Sequence, residues 1–146
     1  MLQVCELTAI LSSTLFAGAA LYINLAEHPA RMSCGTKLAA TVFGPSYKRA
    51  AVMQATLAMV ATGSGMASWW LDNSLLWILG SLFIFAVIPF TVIVISPTNA
   101  RLLTPNLDRN SESAHELLIR WGRLHAVRTA ASLAASILFI IATQSN

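Results

Sequence analysis

Three side chains with chemical capability share one predicted helix face near the C-terminal end of the sequence. Trp121, His125 and Arg128 lie four and three residues apart in RWGRLHAVR, a spacing that places side chains on one face of an α-helix. A histidine beside an arginine can accept a proton next to a carbonyl group while the arginine stabilises the enolate that forms. The apolar segment TAASLAASILFIIATQ follows directly, so this chemistry is predicted at a membrane boundary.

Polar side chains from three other segments are predicted at the same depth. They are Asn24, Glu27, His28 and Arg31 at the end of the first apolar run, Gln54 in the second, and Thr91 and Asn99 in the third. Ionisable groups inside a membrane are costly, so a functional role is the default hypothesis for such a cluster. The structural alternative is that Arg128 extends to lipid head groups and that Glu27 merely pairs with Arg31 or Arg128.

Proton transfer assigns a role to each member of this cluster. We predict that His125 is the general base and that Arg128 and Asn99 hold the developing oxyanion. Glu27 or His28 would orient the imidazole. The residues predicted to bind substrate are His28, Trp121, Thr91, Gln54 and Tyr47. This chemistry requires no cofactor.

Two other chemistries use the same side chains. His28, His125 and Glu27 would form a mononuclear metal site with two histidines and one carboxylate. Glu27 and His28 diverge by about 100° on a regular helix, so both bind one ion only if the chain unwinds ahead of Pro29, and we rank this alternative below proton transfer. In the third alternative the cluster binds an anionic or quinone-type head group and no bond is made.

The composition specifies the elements that must position these residues. The 146 residues are 56% hydrophobic and 10% charged, whereas globular domains average about a quarter charged, and the mean hydropathy is +0.67. Four apolar runs approach the roughly 20 residues that a transmembrane helix needs. We predict one all-α domain over 1–146, an integral membrane antiparallel four-helix bundle with helices at about 7–27, 50–70, 75–96 and 113–143. The first run has no basic flank, which favours a retained helix over a signal peptide.

The basic residues predict the orientation of this bundle. All nine fall between the first and second runs or around the third connection, so the positive-inside rule makes both regions cytoplasmic and both termini outside or lumenal. The net charge of +3 then reflects topology, and a nucleic-acid partner is not expected. The expected partners are membrane lipid and a lipophilic small molecule, with a homo-oligomer or a membrane-protein partner as open alternatives. Cys5 and Cys34 fall at opposite ends and are not expected to pair.

Prolines and one capping motif set the predicted helix ends. Pro29 is predicted to break the first helix, Pro89 to kink the third, and Pro97 to end it. Ser113 with Glu116 forms a capping box at the start of the last helix.

Several short motifs occur together in a recognisable order. They are EHPAR (27–31), YKRA (47–50), PFT (89–91), PTNARL (97–102) and WGRLHAVR (121–128). The chain resembles the anthrone oxygenase-like family of small four-helix membrane proteins, most of which have no assigned function, and the resemblance spans nearly all of it. It implies a site made from matching positions, namely Pro89, Thr91, Pro97, Asn99, Trp121, His125 and Arg128, with Glu27, Pro29 and Arg31 less specific. The compact PTNARLLTPNLDRN connection departs from the family pattern.

The resemblance suggests a function for the cluster. Family members with an assigned activity oxidise an anthrone to an anthraquinone in polyketide biosynthesis. The implied function is a membrane-embedded oxygenase-like enzyme acting on a lipophilic aromatic or quinone-type molecule, and whether the chain is an enzyme stays open. The alternative is a non-catalytic membrane subunit, assembly factor or lipid- or quinone-binding protein, suggested by an amphipathic segment from Glu116 to Leu124 predicted to project below the membrane.

Overall fold

Four long helices account for nearly all of the chain. The computed structural model describes residues 1–144, and within them the chain is helical without a strand. The helices are α1 (Leu2–Ser33), α2 (Thr36–Asp72), α3 (Leu75–Leu102) and α4 (Glu112–Gln144), and each is long and apolar enough to cross a membrane. The predicted all-α architecture with four spanning helices is confirmed. Ser145 and Asn146, at the terminus predicted to lie outside, fall beyond the described residues.

Tight turns make neighbouring helices antiparallel. Gly35 joins α1 to α2 with φ of 95°, a left-handed conformation that favours glycine. Asn73 ends α2 with φ of 60°, and its N–H donates to the Trp69 carbonyl at 2.7 Å. Each helix packs against two others, in the ring α1, α2, α3, α4 and back to α1. The prediction that the second helix begins near residue 50, after a long connection, is wrong, because residues 36–49 already belong to α2.

The breaks predicted at two prolines are replaced by π-helical turns. α1 contains a π turn at Ile23–Glu27 directly before His28 and Pro29, and α3 contains one at Thr91–Ile95 directly before Ser96 and Pro97. A proline ring clashes with the carbonyl four residues earlier in a regular helix. The wider π turn moves that carbonyl away and lets the helix continue.

The start of α4 also differs from the prediction. Ser111 caps the helix, because its hydroxyl accepts a hydrogen bond from the Ala114 N–H at 3.2 Å. Ser113 already lies inside the helix, so the expected capping box does not form. The apolar face of the first turns of α4 packs on the bundle, where Leu117 and Leu118 are buried.

Two apolar clusters fill the bundle, one toward each end. The cluster near the α2–α3 turn contains Phe16, Trp77 and Phe139, and the cluster at the basic end contains Phe43 and Trp121. Large apolar side chains also cover the outer surface, as expected for helices in lipid, for example Leu15, Val52, Ile93 and Ile137. The polar residues of interest lie between the two clusters along α1, α2 and α4.

Candidate functional site

His125 belongs to a hydrogen-bonded group that joins α4 to α1. Its ring is buried, and its Nδ1 lies 2.8 Å from the side-chain oxygen of Asn24. That oxygen also accepts a hydrogen bond from the Thr129 hydroxyl at 2.6 Å, while the Asn24 amide nitrogen donates to the Gly122 carbonyl at 3.1 Å. Because the Asn24 oxygen can only accept, Nδ1 of His125 carries the proton and Nε2 keeps its lone pair.

The second ring nitrogen of His125 is available for chemistry. Within residues 1–144, Nε2 has no hydrogen-bond partner. His125 lines a small cavity of about 20 Å³, which is room for about one water molecule. An imidazole nitrogen with a free lone pair beside a cavity can accept a proton from a molecule bound there.

Close approach of α1 to α4 depends on the π turn and on one glycine. Asn24 is the second residue of the π turn Ile23–Glu27, where the wider turn changes the direction of the side chains. A Cβ atom at Gly122 would lie only 2.6 Å from Nε2 of His28. The absence of a side chain at this position therefore leaves room for the His28 imidazole against α4, as small residues allow close packing between membrane helices.

Arg128 is held inside the bundle by α2 and α1. Its Nη2 donates to the side-chain oxygen of Gln54 at 2.7 Å, and its guanidinium carbon lies 5.5 Å from the centre of the Phe16 ring, a cation–π contact. Both Arg128 and Gln54 are buried, at 8% and 2% exposure. Across residues 1–144, Nε of Arg128 and Nε2 of Gln54 are buried without an acceptor. Two such donors can hydrogen-bond to oxygen atoms of a bound molecule.

A second polar group lies nearer the basic end of the bundle. Arg31 donates from Nε to Nδ1 of His28 at 3.3 Å and pairs through Nη1 with the Glu27 carboxylate at 3.5 Å. Glu27 also accepts a hydrogen bond from the Ser46 hydroxyl at 2.8 Å. The carboxylate is thus neutralised by Arg31 and does not contact His125.

Trp121 links the two polar groups. The centre of its ring lies 4.8 Å from that of His125 and 5.4 Å from that of His28. The Arg31 guanidinium carbon lies 5.3 Å from the centre of the same indole. Trp121 therefore packs against both imidazoles and forms part of the wall of the small cavity.

A larger apolar cavity adjoins the small one. It measures about 160 Å³ and lies mainly between α2 and α3. Thr91 lines it and donates to the Val87 carbonyl at 2.7 Å. Both cavities are lined by Tyr47, Ala51, Gln54 and Arg128. The polar and apolar spaces therefore meet at these four side chains.

The structure gathers most of the predicted site residues, although some take other positions. His125, Arg128, Trp121, Gln54 and Tyr47 line the small cavity, and Thr91 lines the larger one. Glu27 and His28 lie in the adjoining group with Arg31.

Asn99 stands apart from the residues that line the cavities. It is 3% exposed, lines neither cavity, and both polar atoms of its side chain lack a partner within residues 1–144. It makes no hydrogen bond to Arg128.

The partner of His125 is a residue to which the sequence assigned no role. Asn24 takes the orienting position that we expected Glu27 or His28 to occupy. The available signal was a lone asparagine in an otherwise apolar run, because such a residue needs an interhelical partner in lipid.

The alternative metal site is not assembled in this geometry. In the described part of the chain, no three His, Cys, Asp or Glu side chains are placed to hold an ion. Nδ1 of His28 accepts from Arg31, and Glu27 pairs with the same arginine. The guanidinium of Arg31 therefore bridges the two side chains that were expected to bind the ion.

These features define the protein as a small multi-pass helical membrane protein with a polar site inside its bundle, between the two apolar clusters. The family model described as anthrone oxygenase matches residues 43–138, more than half of the chain, and the chain belongs to this family. The match covers most of α2, all of α3 and much of α4, and α1 lies outside it. Comparison with curated proteins and with solved structures gave no match.

Proposed function

We propose that the protein is a membrane-embedded oxygenase-like enzyme that oxidises a lipophilic aromatic molecule of the anthrone type. The observation that carries the proposal is the free Nε2 of His125 beside a cavity that Arg128 also lines. A base and a buried cation at a lipid-accessible depth suit a substrate that must lose a proton from carbon and hold the resulting charge on oxygen.

The first step is removal of a proton from a CH₂ group flanked by aromatic rings and conjugated with a ketone. Nε2 of His125 takes the proton, and the electron pair of the broken C–H bond moves through the ring onto the ketone oxygen. Arg128 stabilises this enolate oxygen, because its Nε is buried without another acceptor. Asn24 acts as a positioning residue that fixes the tautomer of His125.

The second step uses dioxygen as co-substrate. The enolate gives two electrons to O₂, and a C–O bond forms at the former CH₂ carbon. The peroxide takes the proton back from His125 and then loses water as the remaining C–H and the O–O bond break. The balance is anthrone plus O₂ to anthraquinone plus water.

Oxygen uptake by purified protein tests the proposal. Protein in liposomes receives an anthrone under air, and the rate is corrected for uptake by empty liposomes. We expect His125→Ala to lower the protein-dependent rate by about a hundredfold or more. His115→Ala is the matched control, because His115 lies near the start of α4, hydrogen-bonded to Thr36, and lines neither cavity. Equal rates in wild type and His125→Ala would exclude the proposed role of the histidine.

A further inference from the structure

The larger cavity reaches the outer surface of the bundle between α2 and α3. Ala55 and Val92 line it, and both are exposed on the outside. Their neighbours Val52 and Met59 are also exposed and apolar, as expected where a helix faces lipid. The surrounding surface thus gives this cavity an opening toward the acyl chains of the bilayer.

Two residues that line this cavity, Gln54 and Arg128, each carry one buried hydrogen-bond donor that lacks an acceptor within residues 1–144. The side chain of Gln54 is only 2% exposed. Its oxygen accepts a hydrogen bond from Arg128, and its Nε2 has no hydrogen-bond partner within residues 1–144. Nε of Arg128 is also buried and has no acceptor within residues 1–144. A buried donor left without an acceptor is costly, so the pair is suited to an oxygen atom that arrives with a ligand.

We propose that the two cavities form one elongated site filled from the lipid, with Gln54 and Arg128 as its specificity-determining end. The ligand passes between α2 and α3 at Ala55, and its aromatic body lies where the two cavities meet, with the ring edge opposite its oxygen toward His125. Its oxygen accepts hydrogen bonds from Nε2 of Gln54 and Nε of Arg128. The identity of the ligand as an aromatic ketone or quinone rests on the proposed function. The position of the opening and of the oxygen-binding donors rests on the cavities alone.

Binding of two probes to Gln54→Glu tests the oxygen-binding end. Glutamate keeps an acceptor for Arg128 and replaces the free donor by a second acceptor. Equilibrium binding of 9,10-anthraquinone and of anthracene, which has no oxygen, is measured with protein in nanodiscs and corrected with empty nanodiscs. We expect anthraquinone to bind the variant about tenfold or more weakly and anthracene to bind as it does to wild type. Unchanged anthraquinone binding, equal weakening of both probes, or no binding to wild type would overturn the assignment.

A large side chain at the opening tests the route. Ala55→Trp places an indole at the mouth, and Ala130→Trp is the matched control because Ala130 is exposed on α4 and lines neither cavity. We expect the association rate of anthraquinone to fall about tenfold or more in Ala55→Trp and to stay unchanged in Ala130→Trp. An unchanged rate in Ala55→Trp, or an equal fall in both variants, would overturn the lateral route.

The binding and oxidation experiments fail in different ways. If wild type binds anthraquinone with the expected dependence on Gln54 and Ala55 but consumes no oxygen with an anthrone, the proposed function is excluded and the site stands. If wild type consumes oxygen while both variants bind anthraquinone normally, the site is excluded and the proposed function stands.

Discussion

At the scale of single residues, the hydrogen bond between His125 and Asn24 decides which ring nitrogen can act. An amide oxygen holds Nδ1–H in place without adding the negative charge that a carboxylate would bring. The sequence predicted that His125 and Arg128 share a helix face, and both are buried. The lone Asn24 indicated a need for a partner on another helix, but its pairing with His125 was not predictable, because the direction of its side chain depends on a π turn that periodicity does not reveal. Asn99 likewise follows a π turn, that of α3, and lines neither cavity.

Substitution of Asn24 tests its positioning role in the proposed reaction. We expect Asn24→Leu to lower kcat for anthrone oxidation about tenfold or more with little change in KM, because the imidazole loses its fixed tautomer. Asn24→Asp should recover part of the loss, since a carboxylate oxygen still accepts the Nδ1 proton. Steady-state oxygen uptake gives both constants. If Asn24→Leu and Asn24→Asp lower kcat by the same factor, or if only KM rises, Asn24 does not act through the histidine.

At the scale of helices, the π turn ahead of Pro29 and the glycine at position 122 set the meeting of α1 with α4. The sequence predicted four helices correctly because their apolar runs are long. It misplaced their ends, because a proline is read as a break unless a wider turn precedes it. Residues 36–49 were assigned to a loop for a different reason, since their basic side chains and Pro45 argue against a membrane span. These residues can still form a helix that extends beyond the membrane. α2 has 37 residues and is about 55 Å long, well beyond a hydrocarbon core of about 30 Å.

Gly122→Ala tests the close approach of α1 and α4. The new Cβ would lie 2.6 Å from Nε2 of His28, so the helices must separate or His28 must move. We expect a loss of about 1–3 kcal/mol in the free energy of unfolding, seen as a lower Tm in detergent. The matched control is Gly63→Ala, where a Cβ would meet no atom within 4 Å and the change should be neutral or stabilising by roughly 0.5–1 kcal/mol. Equal Tm values for Gly122→Ala and wild type would show that the contact tolerates a methyl group.

At the scale of the whole molecule, charge is distributed along the bundle axis. All nine lysines and arginines lie on the C-terminal parts of α1 and α3, the N-terminal parts of α2 and α4, and the connection between α3 and α4. The antiparallel order brings these parts to one end. The packing that forms the two apolar clusters and the internal site is the same whichever end of the bundle faces the cytoplasm. The positive-inside rule therefore supplies the prediction that this end faces the cytoplasm, which places His125 and Arg128 toward the inner leaflet.

Labelling of single cysteines tests this orientation. Cys34 is exposed in the turn between α1 and α2 at the basic end, and Gln3 is exposed near the opposite end. In a Cys5→Ser background, we expect a membrane-impermeant maleimide to label Cys34 only after the membrane of intact cells is opened. A Gln3→Cys variant in a Cys5→Ser, Cys34→Ser background should be labelled without opening, since both termini are predicted to lie outside. Labelling of Cys34 in intact cells together with protection of the Gln3→Cys thiol would place the basic end outside, and His125 and Arg128 would then lie toward the outer leaflet.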